Sequence, residues 1–244
     1  MNTRMARKPI AGVLFDLDGT VLDTAPDLVA SANWALMAEG LPPCPMEEAK
    51  PYISGGARTM FGYWIVKTVE QRPVFSFPQA NEVNAENDDL FTRLIDRMMV
   101  HYEANVANQT AYFSGMESVL DALDDRRLPW GIVTNKQSRL TEPLAKALKL
   151  THRTSCIISG DTTPKSKPHP LPLLEASQRL GVNPEYCVYV GDSARDIEAG
   201  RRAGMATLAA LYGYIAEGED VDAWGADDAL ESPGDLIPWI EATR

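Results

Sequence analysis

The sequence predicts a doubly wound, Rossmann-like α/β domain whose parallel sheet is interrupted, after its first strand, by an inserted helical module. Three observations carry this. Short apolar, β-branched runs alternate with helical patterns through the second half of the chain, as a parallel sheet with crossover helices requires. Those runs are nearly continuous in hydrophobicity, so each strand is expected to be covered on both faces. The stretch from 23 to 113 breaks the alternation, with helical periodicity and no clear strand. The expected partition is a core of residues 1–22 and 114–244 with an insert of residues 23–113.

In chain order, GVLFD (12–16) is the first strand. TAPDLVASANWALMAEGL opens the insert as a helix, with Thr24 as N-cap, Pro26 in the first turn and Gly40 as its stop. Phe91, Leu94, Ile95, Met98, Met99 and Tyr102 recur at helical spacing and mark a further helix. Trp34, Met37 and the Met98–Met99 pair are expected in the core of the insert. Between the two helices, EQRPVFSFPQANEVNAENDD (70–89) is polar and broken by proline, and is expected to be a loop. The core resumes with helices over 115–126, 138–149, 170–180 and 194–203. They alternate with the strands WGIVT (130–134), SCIIS (155–159), CVYVG (187–191) and MATLAAL (205–211).

Composition excludes some partners. With 244 residues, 45% hydrophobic and 23% charged, the chain can bury a sizeable core. Its 34 acidic against 23 basic residues leave a net charge of −11, which disfavours nucleic acid and anionic membranes. An anionic substrate would need a local positive site. The apolar stretch after the basic N-terminal decapeptide is broken at Asp16, too early for a signal-peptide core or a membrane span, so a cytoplasmic protein is expected, with monomer and homodimer both left open by the sequence. Cys44, Cys156 and Cys187 show no CxxC spacing and read as packing residues.

Ligands of open α/β sheets bind beyond the carboxyl ends of the strands. The first strand ends in Asp16, with Asp18 two residues on, and the second ends in Thr134, Asn135 and Lys136. After the third comes GDTTPKSKPHP, holding Lys165 and Lys167, and after the fourth comes GDSARD, holding Asp192 and Asp196. So many carboxylates need a cation, most simply Mg²⁺ with its preference for oxygen ligands. A divalent ion, a lysine and a hydroxyl around one phosphoryl group supply the charge neutralisation on which phosphoryl transfer depends. An aspartate with an ordinary pKa of about 3.9 is ionised at neutral pH and attacks phosphorus without a base. A second aspartate then protonates the leaving oxygen and activates water. A calcium loop starting at Asp16 is excluded by the missing glycine at its sixth position and by the strand in front.

DLDGT after an apolar strand, the strand ending in Thr134, the lysine of KPHP and the GDSARD run resemble the four ordered motifs of the haloacid dehalogenase superfamily of phosphohydrolases. The resemblance implies Asp16 as nucleophile, Asp18 as general acid/base and Thr134 as phosphoryl ligand. It implies that Lys167, rather than Lys165, orients the nucleophile and the phosphate. Mg²⁺ would be bound by Asp16, the backbone carbonyl of Asp18 and Asp192, with Asp196 supporting it, directly or through water. Gly19 and Thr20 would complete the first loop with amides facing the phosphate. Asn135 and Lys136, by their position beside Thr134, either contact the phosphate as well or merely terminate the strand. Ser193 and Asp196 form an S-x-x-D capping-box pattern as well, a second role for Asp196.

The insert resembles the helical cap of the phosphoglycolate phosphatase and β-phosphoglucomutase branch, which closes over the site and selects the substrate. Within ISGGARTM (53–60), Gly55 and Gly56 permit close backbone approach, and Arg58 could bind a substrate carboxylate or hydroxyls. SGGAR, WGIVTNK, LYGYI and AWGAD are similar to the bacterial N-acetylmuramic acid 6-phosphate phosphatases, whereas the 70–89 stretch matches neither group. The expected activity is Mg²⁺-dependent hydrolysis of a small phosphorylated metabolite through an aspartyl phosphate. A phosphomutase uses the same two aspartates, and a non-catalytic phosphate-binding protein is the alternative from another class.

Overall fold

The computed structural model describes residues 8–68, 88–154 and 156–242. In chain order the first elements are β1 (Gly12–Phe15), β2 (Leu22–Asp23), α1 (Ala25–Ala38), α2 (Met46–Ala49), α3 (Ala57–Thr68), α4 (Asp88–Ala104) and β3 (Ala111–Tyr112). The alternating half follows with α5 (Met116–Asp125), β4 (Trp130–Val133), α6 (Ser138–Ala147), β5 (Ile157–Ile158), α7 (Leu171–Leu180), β6 (Cys187–Gly191), α8 (Ala194–Ala203) and β7 (Ala206–Ala210). The edge strand β8 (Asp228–Leu230) and α9 (Leu236–Glu241) come last.

Six strands pair in parallel in the order β5-β4-β1-β6-β7-β8. From β1 the chain moves outward through β4 and β5, then returns to the other side of β1 for β6, β7 and β8. That reversal at β1 is the switch point where such sheets leave a crevice beyond their strand ends. Residues of β1, β4 and β6 are buried throughout, which explains their uninterrupted apolar sequences. Leu14, Val133, Ile158 and Tyr189 of the sheet and Leu173 and Ala176 of α7 belong to one core cluster.

The described residues form two compact units. The first, holding the sheet, comprises residues 8–23, 111–154, 156–213 and 218–242. In it β2 and β3 pair antiparallel, Leu22 with Tyr112 and Asp23 with Ala111. The second comprises residues 24–68, 88–110 and 214–217 and is helical. Here α1 and α4 pack together, with Phe91, Leu94, Met98 and Tyr102 buried along one stripe of α4.

Several local expectations are corrected. Trp34 and Met37 are exposed (41% and 58%), because the buried stripe of α1 consists of smaller residues, Val29, Ala32, Ala35 and Leu36. Trp34 instead stacks on His101, ring centroids 5.1 Å apart. Thr24 occupies the N-cap of α1 without a capping hydrogen bond from its side chain, and the Ala25 amide donates to Tyr214 Oη at 2.9 Å. Residues 70–87 of the polar stretch and Ser155 lie outside the described residues, and residues 88 and 89 open α4. All three cysteines are buried free thiols, pushed up in pKa by burial, consistent with packing. Among the described residues no helix is long and apolar enough to cross a membrane.

Candidate active site

The crevice at the switch point is built from four strand ends of the first unit. Asp16 follows β1, and its amide still donates to Val190 O at 2.9 Å, which fixes its backbone to β6. The chain then turns tightly, with Val21 and Leu22 amides donating to Leu17 O at 3.0 and 2.9 Å. Gly19 takes a φ of 86° in this turn, a left-handed conformation that favours glycine. The Gly19 amide donates to Leu22 O (3.0 Å) and the Thr20 amide to Leu17 O (3.4 Å), so these two amides are engaged within the loop rather than facing a phosphate. Thr20 is fully buried, its hydroxyl 3.5 Å from Asp192 Oδ1.

Lys167 joins the site from the loop before α7. It is 5% exposed, and its Nζ lies 2.7 Å from Asp16 Oδ1, 2.7 Å from Asp196 Oδ1, 2.8 Å from Tyr189 Oη and 2.9 Å from Val133 O. Burial disfavours its charge, but Asp16 and Asp196 outweigh that and raise its pKa above the usual lysine value. The converse holds at Asp16. Burial pushes its carboxyl up to about 6, with Lys167 pulling downward and Asp196 and Asp18 pushing upward. In this environment Asp16 is therefore not the carboxylate of ordinary pKa expected from the sequence.

Asp192 follows β6 and is 1% exposed, as is Asp196 in the first turn of α8. One carboxylate oxygen from each of Asp16, Asp192 and Asp196 lies within 4.8 Å of the others. These three buried carboxylates, two of them on the Lys167 ammonium, are a hard, oxygen-only donor set that fits a divalent cation such as Mg²⁺. Asp196 has both oxygens engaged: Oδ1 accepts from Lys167, and Oδ2 accepts from the Ser193 hydroxyl at 2.6 Å. The capping box is thus not formed, because the Ser193 hydroxyl is directed to the aspartate side chain and makes no cap bond to the helix backbone.

Thr134 closes β4, its amide donating to Ile158 O (2.9 Å) and its hydroxyl accepting from the Lys136 amide (3.1 Å). The Lys136 ammonium forms an ion pair with Asp18 Oδ1 at 2.8 Å, with both side chains largely covered. Asn135, expected to contact phosphate, instead grips the backbone of Lys167. Its Nδ2 donates to Lys167 O (3.0 Å) and its Oδ1 accepts from Lys167 N (2.9 Å). Lys165 is exposed and takes no part in these contacts.

Gly55, Gly56 and Arg58 belong to the second unit. Gly56 turns at φ 86° just before α3, and the Arg58 guanidinium lies 5.4 Å from the Phe91 ring centroid in a cation–π contact. Two further residues at the sheet end escaped sequence reasoning. A Cβ on Gly213 would fall 2.4 Å from Asp192 Cβ and 2.5 Å from Gly19 O, so only glycine lets this segment approach both. Tyr189 lies within the apolar run of β6, and the available signal was that a buried tyrosine hydroxyl needs a partner.

Asp16 on a buried lysine, the carboxylate trio that it forms with Asp192 and Asp196, and Asp18 on its own lysine are thus gathered at one end of the sheet. The haloacid dehalogenase-like hydrolase family matches residues 13–210. The chain belongs to that family. Over 221 residues, 91% of this chain and 89% of the relative, it is 40% identical to a phosphoglycolate phosphatase of Xylella fastidiosa. Over 237 residues, 97% of both chains, it is 36% identical to the N-acetylmuramic acid 6-phosphate phosphatase of Pseudomonas aeruginosa. The crystal structure of a predicted phosphoglycolate phosphatase from Haemophilus somnus superposes with a TM-score of 0.78 at 26% identity, covering 94% of this chain and 97% of that one. As a haloacid dehalogenase-like hydrolase with these relatives, the chain is a phosphoric monoester hydrolase.

Proposed function

We propose that the enzyme is a Mg²⁺-dependent phosphatase of N-acetylmuramic acid 6-phosphate or 2-phosphoglycolate that works through an aspartyl phosphate. The observation that carries this is Asp16, held at the switch point 2.7 Å from Lys167, with Asp192 and Asp196 completing a buried carboxylate trio. Asp16 is the nucleophile, and Lys167 offsets its charge and orients it. Asp16, the Asp18 carbonyl and Asp192 would hold the cation, with Asp196 supporting them through water, since both its oxygens are already engaged. When bound, the cation supplies charge neutralisation between the carboxylates and the phosphoryl oxygens.

Asp18 is the acid/base. Its carboxylate is paired with Lys136, and an incoming phosphoryl group would compete for that ammonium. Released from Lys136, Asp18 takes up a proton from solvent, gives it to the leaving oxygen and, ionised again, accepts a proton from the water that attacks the aspartyl phosphate. Thr134 supplies the phosphoryl hydroxyl ligand. The second unit is the proposed cap, with Gly55 and Gly56 lending it close backbone approach. Both substrates carry a carboxylate, one carbon from the phosphoester in 2-phosphoglycolate and on the O3 lactyl group in N-acetylmuramic acid 6-phosphate, and Arg58 is its proposed partner.

The test is phosphate release with Mg²⁺ from each compound, with Asp16→Asn as blank. Loss of the nucleophile should lower turnover by at least about 10⁴-fold. A preference of about a hundredfold, or about 2.7 kcal/mol in transition-state stabilisation, assigns the substrate. No turnover of either would refute the substrate reading, and retained turnover in Asp16→Asn would refute the nucleophile.

A further inference from the structure

We propose that Tyr189, which belongs to none of the motif positions, is a positioning residue that fixes the Lys167 ammonium against Asp16; this rests on the reading of Asp16 and Lys167 above. A lysine ammonium has three hydrogens, but four oxygens surround Lys167 Nζ within 2.9 Å, from Asp16, Asp196, Tyr189 and Val133. Tyr189 resolves the mismatch, because its hydroxyl brings a fourth hydrogen and a lone pair to the same point. It lies 2.9 Å from Val133 O and 3.2 Å from Asp196 Oδ1. If it donates to Val133 O, its lone pair accepts the third lysine hydrogen, and every oxygen of the cage is satisfied.

Val133 O takes its donor from this cage, from Tyr189 or from Lys167. The register of β1 with β4 ends at Phe15 and Ile132, one residue short of Val133, because the chain turns away at Asp16 to form the first loop. The carbonyl therefore lies past the end of the ladder, and a buried carbonyl without a donor is costly. Tyr189 is held rigidly enough to serve as a reference point. It is fully buried in β6, it pairs through the sheet with Leu14 and Thr207, and its ring belongs to the cluster of Leu14, Val133, Leu173 and Ala176. Its hydroxyl stays protonated, since burial, Asp196 and Asp16 all push its pKa well above the usual tyrosine value. The cage thus transmits the geometry of the sheet to the ammonium that touches Asp16.

Tyr189→Phe keeps the ring and removes only the hydroxyl. The remaining three oxygens can take the three lysine hydrogens, so the ammonium stays buried and charged but loses the contact that sets its position. Two readouts separate positioning from simple stability. In ¹⁵N-lysine-labelled protein, the protected Lys167 ammonium should give a slowly exchanging resonance, assigned by its absence in Lys167→Met. Tyr189→Phe should shift or broaden that resonance. In turnover of the better of the two phosphate esters, it should lower kcat about tenfold and leave KM within about twofold, as misplacement of a reacting group does. A melting temperature for each variant verifies that folded protein is compared. An unchanged resonance overturns the proposal, as does an unchanged kcat or a loss confined to KM. If the wild-type protein hydrolyses neither ester, the functional reading fails, and the ammonium resonance alone still decides the role of Tyr189.

Discussion

Asn135 and Lys136 are neighbours in sequence but do different work. The Asn135 carboxamide uses one donor and one acceptor on the backbone of Lys167, whereas the Lys136 ammonium reaches Asp18. A substitution at Asn135 should therefore act through Lys167 and not through substrate binding. Asn135→Asp keeps the acceptor for the Lys167 amide but places a second acceptor against the Lys167 carbonyl. The expected outcome is a fall in kcat of about tenfold, with inhibition by inorganic phosphate changed by no more than about twofold. Steady-state kinetics with phosphate as product inhibitor checks this, and a large rise in the inhibition constant at unchanged kcat would return Asn135 to the phosphate. The pairing was hidden in the sequence because the two residues are 32 positions apart and meet only when β4 and the loop before α7 are folded. Asp16, Asp18, Thr134, Lys167, Asp192 and Asp196 were legible by contrast, because each follows a recognisable apolar run or a short motif.

Among the elements, the strands that could be read are those buried on both faces, where every residue must be apolar. β8 escaped notice because it has three residues, begins with Asp228 and forms the sheet edge beside β7. α9 is six residues long with Pro238 inside it, too short and too irregular for a periodic signal. In α1 the reading favoured large side chains, yet alanines fill much of the buried stripe, and Asp27 is buried as well at 2% exposed. The Asp27 carboxylate accepts from the Gln109 amide (3.0 Å), the Thr110 amide (2.8 Å) and the Thr110 hydroxyl (2.7 Å), joining the start of α1 to the segment after α4. Asp27→Ala would leave these donors unpaired and should destabilise the protein by about 2–4 kcal/mol, measured by denaturant unfolding. A helix end supplies a milder case. Asp161 accepts from the Ser138 amide (2.8 Å) and hydroxyl (2.7 Å) at the start of α6, bonds that hold its carboxyl below the usual range. Its contribution is present above the unfolded carboxylate pKa of about 3.9 and is lost as pH falls through the lower folded value. Asp161→Ala should lower the melting temperature at neutral pH, and the difference from wild type should vanish in acid. A difference that persists in acid would separate the effect from the carboxylate.

At the scale of the whole molecule, the buried trio of Asp16, Asp192 and Asp196 links stability, metal and pH. Lys167 offsets only part of that negative charge, and burial raises the Asp16 carboxyl to about 6. An acid whose folded pKa lies above its unfolded value of about 3.9 favours the folded state most at low pH. That contribution is lost as pH rises through the folded value of about 6. Cation binding requires the ionised carboxylate, so it displaces this proton, and affinity should increase over the same interval. Mg²⁺ at about a hundred times its dissociation constant would add about 2.7 kcal/mol of stability. The increase in melting temperature on adding Mg²⁺ at one fixed concentration is therefore expected to be larger at about pH 7.5 than at about pH 5. Asp192→Asn should diminish the increase at both pH values, whereas Asp16→Asn should remove its dependence on pH. Scanning calorimetry of the three proteins with and without Mg²⁺ makes the comparison. Equal increments at the two pH values in the wild-type protein would mean that Asp16 is not the group displaced, and the raised carboxyl would then have no part in cation binding.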